Sequence, residues 1–317
     1  MPVVLRAPTP PPAFVPAATG STGRLARRPR LWLAGLFLLA LVLAAPGNGA
    51  SRPLDAHEVF VARTATEMAR RGEWLVPWFN GEVRLQKPPL AYWLVMLTHD
   101  LAGGDPEGPV AEWEARAYSV VAAAMLAALV ALLGWAVFDR LAVGVVAGAL
   151  FATSYAYLMW ARTAQAEMLY ALCAGVELLG FVLAWRWRDD PRRALLATLL
   201  AWAGFSAAVL AKGPFVPLFF LAGAALGLAL SEGWRRMLAV VRPGLGALVV
   251  TCLVVPYFIA LQRREPQAFA FWLSQMFDRT GGVEQAWWRP LELYYLVQAF
   301  KLCLPCLLYT SDAADEL

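Results

Sequence analysis

Asp55, His57 and Glu58 bring two carboxylates and an imidazole together within four residues. A carboxylate placed there could act as general base on an acceptor hydroxyl. The three side chains together could also hold a divalent ion. The same residues fit a plain helix start, with Asp55 as N-cap one turn ahead of Glu58. Lys87 has two readings as well. It can snorkel at a membrane interface, or it can act as a point charge on a phosphate. Other chemical signatures are weak. Gly103-Gly104 and Gly281-Gly282 are isolated pairs, not a phosphate-cradling loop. Cys303 and Cys306 have CxxC spacing but sit in an apolar run with no partner histidine, which argues against a metal or redox site.

The elements that must position these residues belong to a membrane protein. Of 317 residues, 60% are hydrophobic and 16% are charged. A soluble domain carries about 25% charged residues, so the composition excludes a disordered chain and argues against an ordinary soluble enzyme. Apolar runs occupy about 31–46, 115–138, 141–160, 168–185, 194–211, 215–230 and 238–261, with another from 291 onward. At about 20 residues per crossing, they predict an all-α polytopic fold of seven to eight spans. The net charge of +4 needs no nucleic-acid partner, because basic residues gather in alternate short loops. Arg140, the group Arg186, Arg188, Arg192 and Arg193, and the group Arg235, Arg236 and Arg242 fall on one side. By the positive-inside rule that side is cytoplasmic, together with the N-terminus. The opposite loops, near Arg162 and Lys212, then face outward, as does the long loop 47–114. In a bacterium this means a multi-pass inner-membrane protein with its site in the periplasm.

The first outward loop carries two predicted amphipathic helices, 57–71 and 90–101, suited to lie at the membrane surface. Arg71-Gly72 ends the first, Asn80-Gly81 makes a turn, and Pro88-Pro89 opens the second. Arg116 reads as a helix-end anchor, and His99 as an interface residue. Trp287-Trp288 and Tyr294-Tyr295 could stack on a sugar or simply form an aromatic belt.

Three ordered motifs resemble one family. They are the stretch from His57-Glu58 through Glu67-Met68, Gly72-Glu73-Trp74-Leu75-Val76-Pro77, Asn80-Gly81-Glu82 and Lys87-Pro88-Pro89-Leu90-Ala91-Tyr92-Trp93; then Ala161-Arg162-Thr163-Ala164 with Glu167-Met168-Leu169; then Leu210-Ala211-Lys212-Gly213-Pro214. This set is similar to the bacterial dolichyl-phosphate-mannose–protein mannosyltransferase family, whose best-known branch transfers aminoarabinose to lipid A. The resemblance covers about residues 30–300. It implies a C-type glycosyltransferase that moves a sugar from a polyprenyl-phosphate donor to lipid A, another glycolipid or a protein, with inversion and with no nucleotide-binding domain.

The resemblance also implies site roles. Asp55, Glu58 and Glu167 are the catalytic carboxylates, with either Asp55 or Glu58 as the base. His57 stands where the family usually has aspartate, and Glu167 stands where it has aspartate in the second motif. His57, Arg63, Lys87, Tyr92, Arg162 and Lys212 are the substrate-binding set, with the lysines and arginines as phosphate partners. Arg63 equally fits a solvated salt bridge. No metal ligand set is assigned. The alternative function is a transporter or flippase of a lipid-linked sugar. Transporters tend to place charges in broken helices at the midplane, whereas here the ionisable residues collect at outward ends.

The domain reading is a disordered cytoplasmic tail over 1–30, a membrane domain over 31–305 and a foreign tail over 306–317. That tail resembles a translated sequencing adapter, so the natural chain is expected to continue beyond a truncation near Pro305.

Overall fold

A computed structural model describes residues 29–49, 52–105 and 107–281. The tail before residue 29, the expected span from 291, the Trp287-Trp288 and Tyr294-Tyr295 pairs, both CxxC cysteines and the segment 306–317 expected to be foreign all lie outside the described residues. The helices are α1 (Pro29–Ala44), α2 (Ala56–Arg70), α3 (Leu90–Leu101), α4 (Glu112–Phe138), α5 (Leu141–Thr153), α6 (Tyr155–Ala161), α7 (Glu167–Arg186), α8 (Pro191–Ala211), α9 (Phe215–Glu232), α10 (Trp234–Val241), α11 (Pro243–Leu253), α12 (Val255–Arg264) and α13 (Ala268–Gly281). A two-stranded hairpin, β1 (Trp78–Phe79) and β2 (Glu82–Val83), interrupts them between α2 and α3.

The spans of the described residues follow the apolar runs. Among the described residues five helical stretches are long and apolar enough to cross a membrane: α4, α7, α8, α9 and the stretch Trp234–Arg264. A sixth is the bent pair α5–α6. The run at 31–46 becomes α1, whose 16 residues fall short of a standard crossing. Two runs are subdivided for local reasons. At Ser154 the chain turns by 62°: the hydroxyl donates to Phe151 O (2.7 Å) and accepts from Tyr157 N (3.2 Å), ending one helix and capping the next. In 234–264, Pro243 and Pro256 each sit at a helix start, where a missing N–H is tolerated.

The bundle packs through small residues. A Cβ on Gly180 of α7 would come within 2.5 Å of the Ala201 backbone of α8. Only glycine allows that approach, and membrane helices lacking a hydrophobic drive to associate rely on such contact. Glu177, one turn away, departs from the expectation that ionisable residues collect at helix ends. It is fully buried within α7, and neither carboxylate oxygen has a hydrogen-bond partner among the described residues.

The 47–114 segment folds as an ordered cap at one end of the bundle. Its two amphipathic helices form as expected, and Asp55 caps α2: its Oδ1 accepts from the backbone N–H groups of His57 and Glu58, both at 2.8 Å. Asn80 and Gly81 both take positive φ, 52° and 81°, as a tight hairpin turn requires. Buried Glu67 holds that turn to α2, accepting from Asn80 N at 2.7 Å and Gly81 N at 3.0 Å.

His99 is not an interface residue. It is buried, with Nδ1 2.7 Å from Glu114 Oε2 and Nε2 3.0 Å from the Asp105 carbonyl, so it ties α3 to the first turn of α4 and to the loop between them. Burial disfavours the imidazolium, but the Glu114 hydrogen bond and the Asp105 carbonyl outweigh it and raise the pKa above 6.5. A raised folded pKa stabilises below the unfolded value, and that stabilisation disappears as pH rises through the folded value. Hydrogen exchange over 102–111 is therefore expected to accelerate as pH rises above 6.5, after correction for intrinsic exchange. His99→Gln should lack this dependence; an identical profile in the variant would exclude His99 as its source.

Candidate active site

The charged residues of the first motif lie in the cap, and those of the second and third lie at the adjoining ends of α6, α7 and α8. Two separate constellations form there, one that holds the cap in place and one that opens to solvent.

The first is built on Glu58 and Arg116, both buried to 1% exposure or less. Arg116 Nε donates to Glu58 Oε1 at 2.7 Å, and Nη2 donates to Oε2 at 2.9 Å. The other donors reach the carbonyls of Asn48 (3.2 Å), Arg52 (2.8 Å) and Pro53 (3.1 Å). All five guanidinium N–H groups are thus engaged. Glu58 also accepts from Ala164 N at 2.8 Å, Asp55 N at 3.0 Å and Arg52 Nη2 at 3.3 Å. Burial pushes the carboxyl up, but Arg116 and the two backbone N–H groups overcome it and hold the pKa below 4.5. Arg116 is therefore not a simple helix-end anchor. Glu58, surrounded by five donors, fits a structural junction better than a base open to an acceptor. The ion pair welds α2, α4, the α1–α2 loop and the α6–α7 turn at one point.

The second constellation is a cavity of about 310 Å³ between the cap, the start of α7 and the end of α8. Lys87, Tyr92, Glu167, Lys212 and His57 all line it, so five of the nine expected site residues converge. Glu167 opens α7 and its Oε2 lies 2.7 Å from Lys212 Nζ. Lys212 is fixed by the turn after α8. Gly213 there adopts φ 124°, and the Tyr170 hydroxyl donates to Gly213 O (3.0 Å) and accepts from Val216 N (3.0 Å). Tyr92 is buried, and burial raises its phenol pKa even with the Arg84 guanidinium beside it.

The other four expected residues do not line this cavity. Asp55 is exposed at the start of α2 and serves as its cap, beside His57. Asp55, His57 and Glu58 do not converge as a metal set, because the Glu58 carboxylate turns inward to Arg116; no group of three such ligands occurs among the described residues. Arg162 is a strut, donating to Leu43 O at 2.7 Å while its own carbonyl accepts from Arg52. Arg63 pairs with Glu67 at 3.0 Å, the salt-bridge alternative, and lines a neighbouring cleft.

The sequence reading missed Arg84, which lines the cavity between Lys87 and the hairpin. Its guanidinium carbon lies 4.2 Å from the Phe60 ring centroid, a cation–π arrangement that fixes a long side chain. The available signal was its position three residues before Lys87, between the Asn-Gly turn and Pro88-Pro89. Tyr118 of α4 was missed too. Its buried hydroxyl has no hydrogen-bond partner among the described residues, and it lies within electrostatic reach of Glu58, Tyr92 and Glu167.

A bent helical membrane bundle with a capping loop of short helices is the fold of the C-type glycosyltransferases, and the chain is a multi-pass membrane protein. The chain belongs to the dolichyl-phosphate-mannose-protein mannosyltransferase family, whose model matches residues 86–259. Among solved structures it is similar to ArnT from Cupriavidus metallidurans in the apo state, with TM-score 0.64 and 20% identity over 75% of this chain and 43% of that one. The same enzyme bound to undecaprenyl phosphate gives TM-score 0.62 and 19% identity over 75% and 42%. The S. cerevisiae protein O-mannosyltransferase Pmt1-Pmt2 complex bound to the sugar donor gives 0.56 and 16% over 74% and 32%. An uncharacterized protein of Aquifex aeolicus (strain VF5) is 28% identical over 159 residues, 50% of this chain and 30% of that one. The chain spans less than half the length of each of these relatives.

Proposed function

We propose that the protein transfers a sugar from a polyprenyl-phosphate donor to an acceptor hydroxyl, with the cavity on the outer, periplasmic face of a bacterial inner membrane. One observation carries this reading. Three cations, Arg84, Lys87 and Lys212, meet one carboxylate, Glu167, in a single cavity at the membrane-domain end. That is the charge set needed by a sugar phosphate and an attacking hydroxyl. The printed description of the ArnT relative as bound to undecaprenyl phosphate supports a lipid-phosphate donor.

In this reading the donor phosphate is held by Lys87 and Arg84 and takes up part of the charge of Lys212. The acceptor oxygen bonds to the anomeric carbon as the bond from that carbon to the phosphate oxygen breaks. The acceptor proton passes to Glu167, and polyprenyl phosphate leaves with the bonding pair. A single displacement of this kind inverts the anomeric centre. Cations fixed where the leaving group gathers charge stabilise the transition state more than the ground state. Asp55 and Glu58 act as positioning residues, one capping α2 and the other anchoring it. The sugar and acceptor are left to experiment.

Incubation of the full-length protein with several polyprenyl-phosphate sugars and membrane acceptors, read by mass spectrometry, tests the reading. A glycosylated acceptor and free polyprenyl phosphate should appear together. Movement of labelled donor across a vesicle membrane with no acceptor and no free polyprenyl phosphate would favour a flippase instead. Lys87→Ala should weaken binding of undecaprenyl phosphate about tenfold or more, the scale of a lost charge-assisted hydrogen bond. Unchanged binding in that variant would remove Lys87 from the donor site.

A further inference from the structure

The segment that carries two of the three cavity cations has little regular structure to support it. Residues 84–89 run between β2 and α3 outside any helix or strand. The Arg84 N–H donates to Pro77 O at 2.8 Å, continuing the hairpin ladder by one step. Further on, Pro88 and Pro89 have no N–H to give, and Pro88 biases Lys87 toward an extended backbone. Backbone groups in such a stretch must find partners outside it. One partner comes from far along the chain. Trp272 of α13 donates its indole Nε1–H to Leu85 O at 2.5 Å, across 187 residues. Leu85 lies one residue from Arg84 and two from Lys87, and its side chain is buried.

The indole is itself held in place. Its ring meets Phe258 of α12 edge to face, with centroids 4.6 Å apart. Phe258 meets Tyr257 at 5.3 Å, and Tyr257 meets Trp93 of α3 at 5.6 Å. Trp93 Nε1 donates to Trp74 O at 2.6 Å, which returns the series to the chain just ahead of the hairpin. Leu85 and Tyr257 are buried in one apolar cluster, with Trp93, Phe258 and Trp272 packed against it. Edge-to-face contacts add to the effect of burial and fix ring orientation as well as distance. Helices α12 and α13 thus form an elbow seated on the cap. Neither Trp272 nor Leu85 lines the cavity, so the indole acts on a donor only through Arg84 and Lys87. The Arg264–Glu73 ion pair, at 3.0 Å, is a second tie between elbow and cap. Arg264 is exposed, and a pair of that kind contributes little.

We propose that Trp272 is a positioning residue of the donor site: its indole N–H fixes the Leu85 carbonyl, and with it the Arg84 and Lys87 side chains that hold the donor phosphate. This rests on the transferase reading above and adds to it a residue that never touches the donor. Without the N–H, Leu85 O loses its partner and the 84–87 backbone gains freedom. Cations on a loosened strand must be reordered when the phosphate arrives, and that ordering is subtracted from donor affinity.

The test uses the full-length protein in neutral nanodiscs with undecaprenyl phosphate as probe. Trp272→Phe keeps an aromatic ring against Phe258 and removes the N–H. Binding should weaken about three- to tenfold, the scale of one hydrogen bond, and amide exchange over 84–87 should accelerate. In steady-state kinetics the donor KM should rise while the acceptor KM stays the same. A purely structural loss would instead lower kcat at unchanged KM, and that pattern overturns the proposal. Benzothienylalanine at position 272 keeps the shape of the indole with sulfur in place of the N–H, so it separates the hydrogen bond from ring packing. It should reproduce the weakened binding; binding at the wild-type level with this isostere overturns the proposal. Arg264→Gln cuts the other tie and should leave donor binding unchanged. Equal weakening in that variant would mean that any loosening of the elbow suffices, and overturns the role given to Trp272. If the wild type fails to bind undecaprenyl phosphate, the donor reading falls, and exchange over 84–87 then decides the Trp272 contact by itself.

Discussion

Arg116→Ala is expected to destabilise the protein by about 3–5 kcal/mol, the usual cost of leaving one member of a buried ion pair alone. Few proteins hold much more than twice that in reserve. The cause is specific. Glu58 is 1% exposed and would keep a charge without the guanidinium that balances it, and three loop carbonyls would lose their donors together. Two controls separate this from a generic cavity effect. Arg116→Met combined with Glu58→Met removes both charges and should recover part of the loss, because the orphan charge is gone although the loop carbonyls remain unpaired. The second control is pH. In wild type the Glu58 pKa is held below 4.5, so its contribution is present above that value and is lost as pH falls through the folded pKa. Without Arg116, burial moves the folded pKa upward. The difference in thermal midpoint between wild type and Arg116→Ala should therefore narrow on acidification. A difference independent of pH would mean that the ion pair is not the source of the loss.

The same pair shows why only part of the site was legible in the sequence. Local chemistry was readable: Asp55 ahead of Glu58 spells a helix cap, Asn80-Gly81 a tight turn, and Lys212-Gly213-Pro214 a helix end, and each is so built. Span positions were readable because burial in lipid demands long apolar runs. Partnerships across the chain were not. Glu58 and Arg116 are 58 residues apart, and nothing near either one announces the other. Nothing beside Arg84 in the sequence announces the Phe60 ring that lies beneath its guanidinium. Arg63 and Lys87 both read as phosphate ligands, yet α2 turns Arg63 toward the neighbouring cleft. The breaks were hidden for a different reason. Averaged hydropathy passes smoothly through Ser154 and Pro243, while a single hydroxyl or a missing N–H decides where a helix stops.

Glu167→Gln is expected to lower turnover by about 10²–10⁴-fold, the range for a general base, while undecaprenyl phosphate binding persists or tightens. The argument starts from the 2.7 Å contact between Glu167 and Lys212. Each of the two side chains holds the other in place at the cavity wall. An arriving phosphate competes for Lys212 and draws it from Glu167. In the proposed reaction the carboxylate is then released from Lys212 and can accept a hydrogen bond from the acceptor hydroxyl. The cavity would thus favour proton removal only after the donor has bound. Glutamine keeps the shape and a contact with Lys212 but cannot take the proton, so turnover should fall without loss of donor affinity. Lys212→Ala should behave differently. It weakens donor binding and also leaves Glu167 permanently unpaired, so turnover falls together with affinity. Steady-state kinetics with separate donor-binding measurements would resolve the two patterns. Full turnover in Glu167→Gln would transfer the base to another group lining the cavity, His57 first among them, and leave the Glu167–Lys212 pair a device for holding the phosphate.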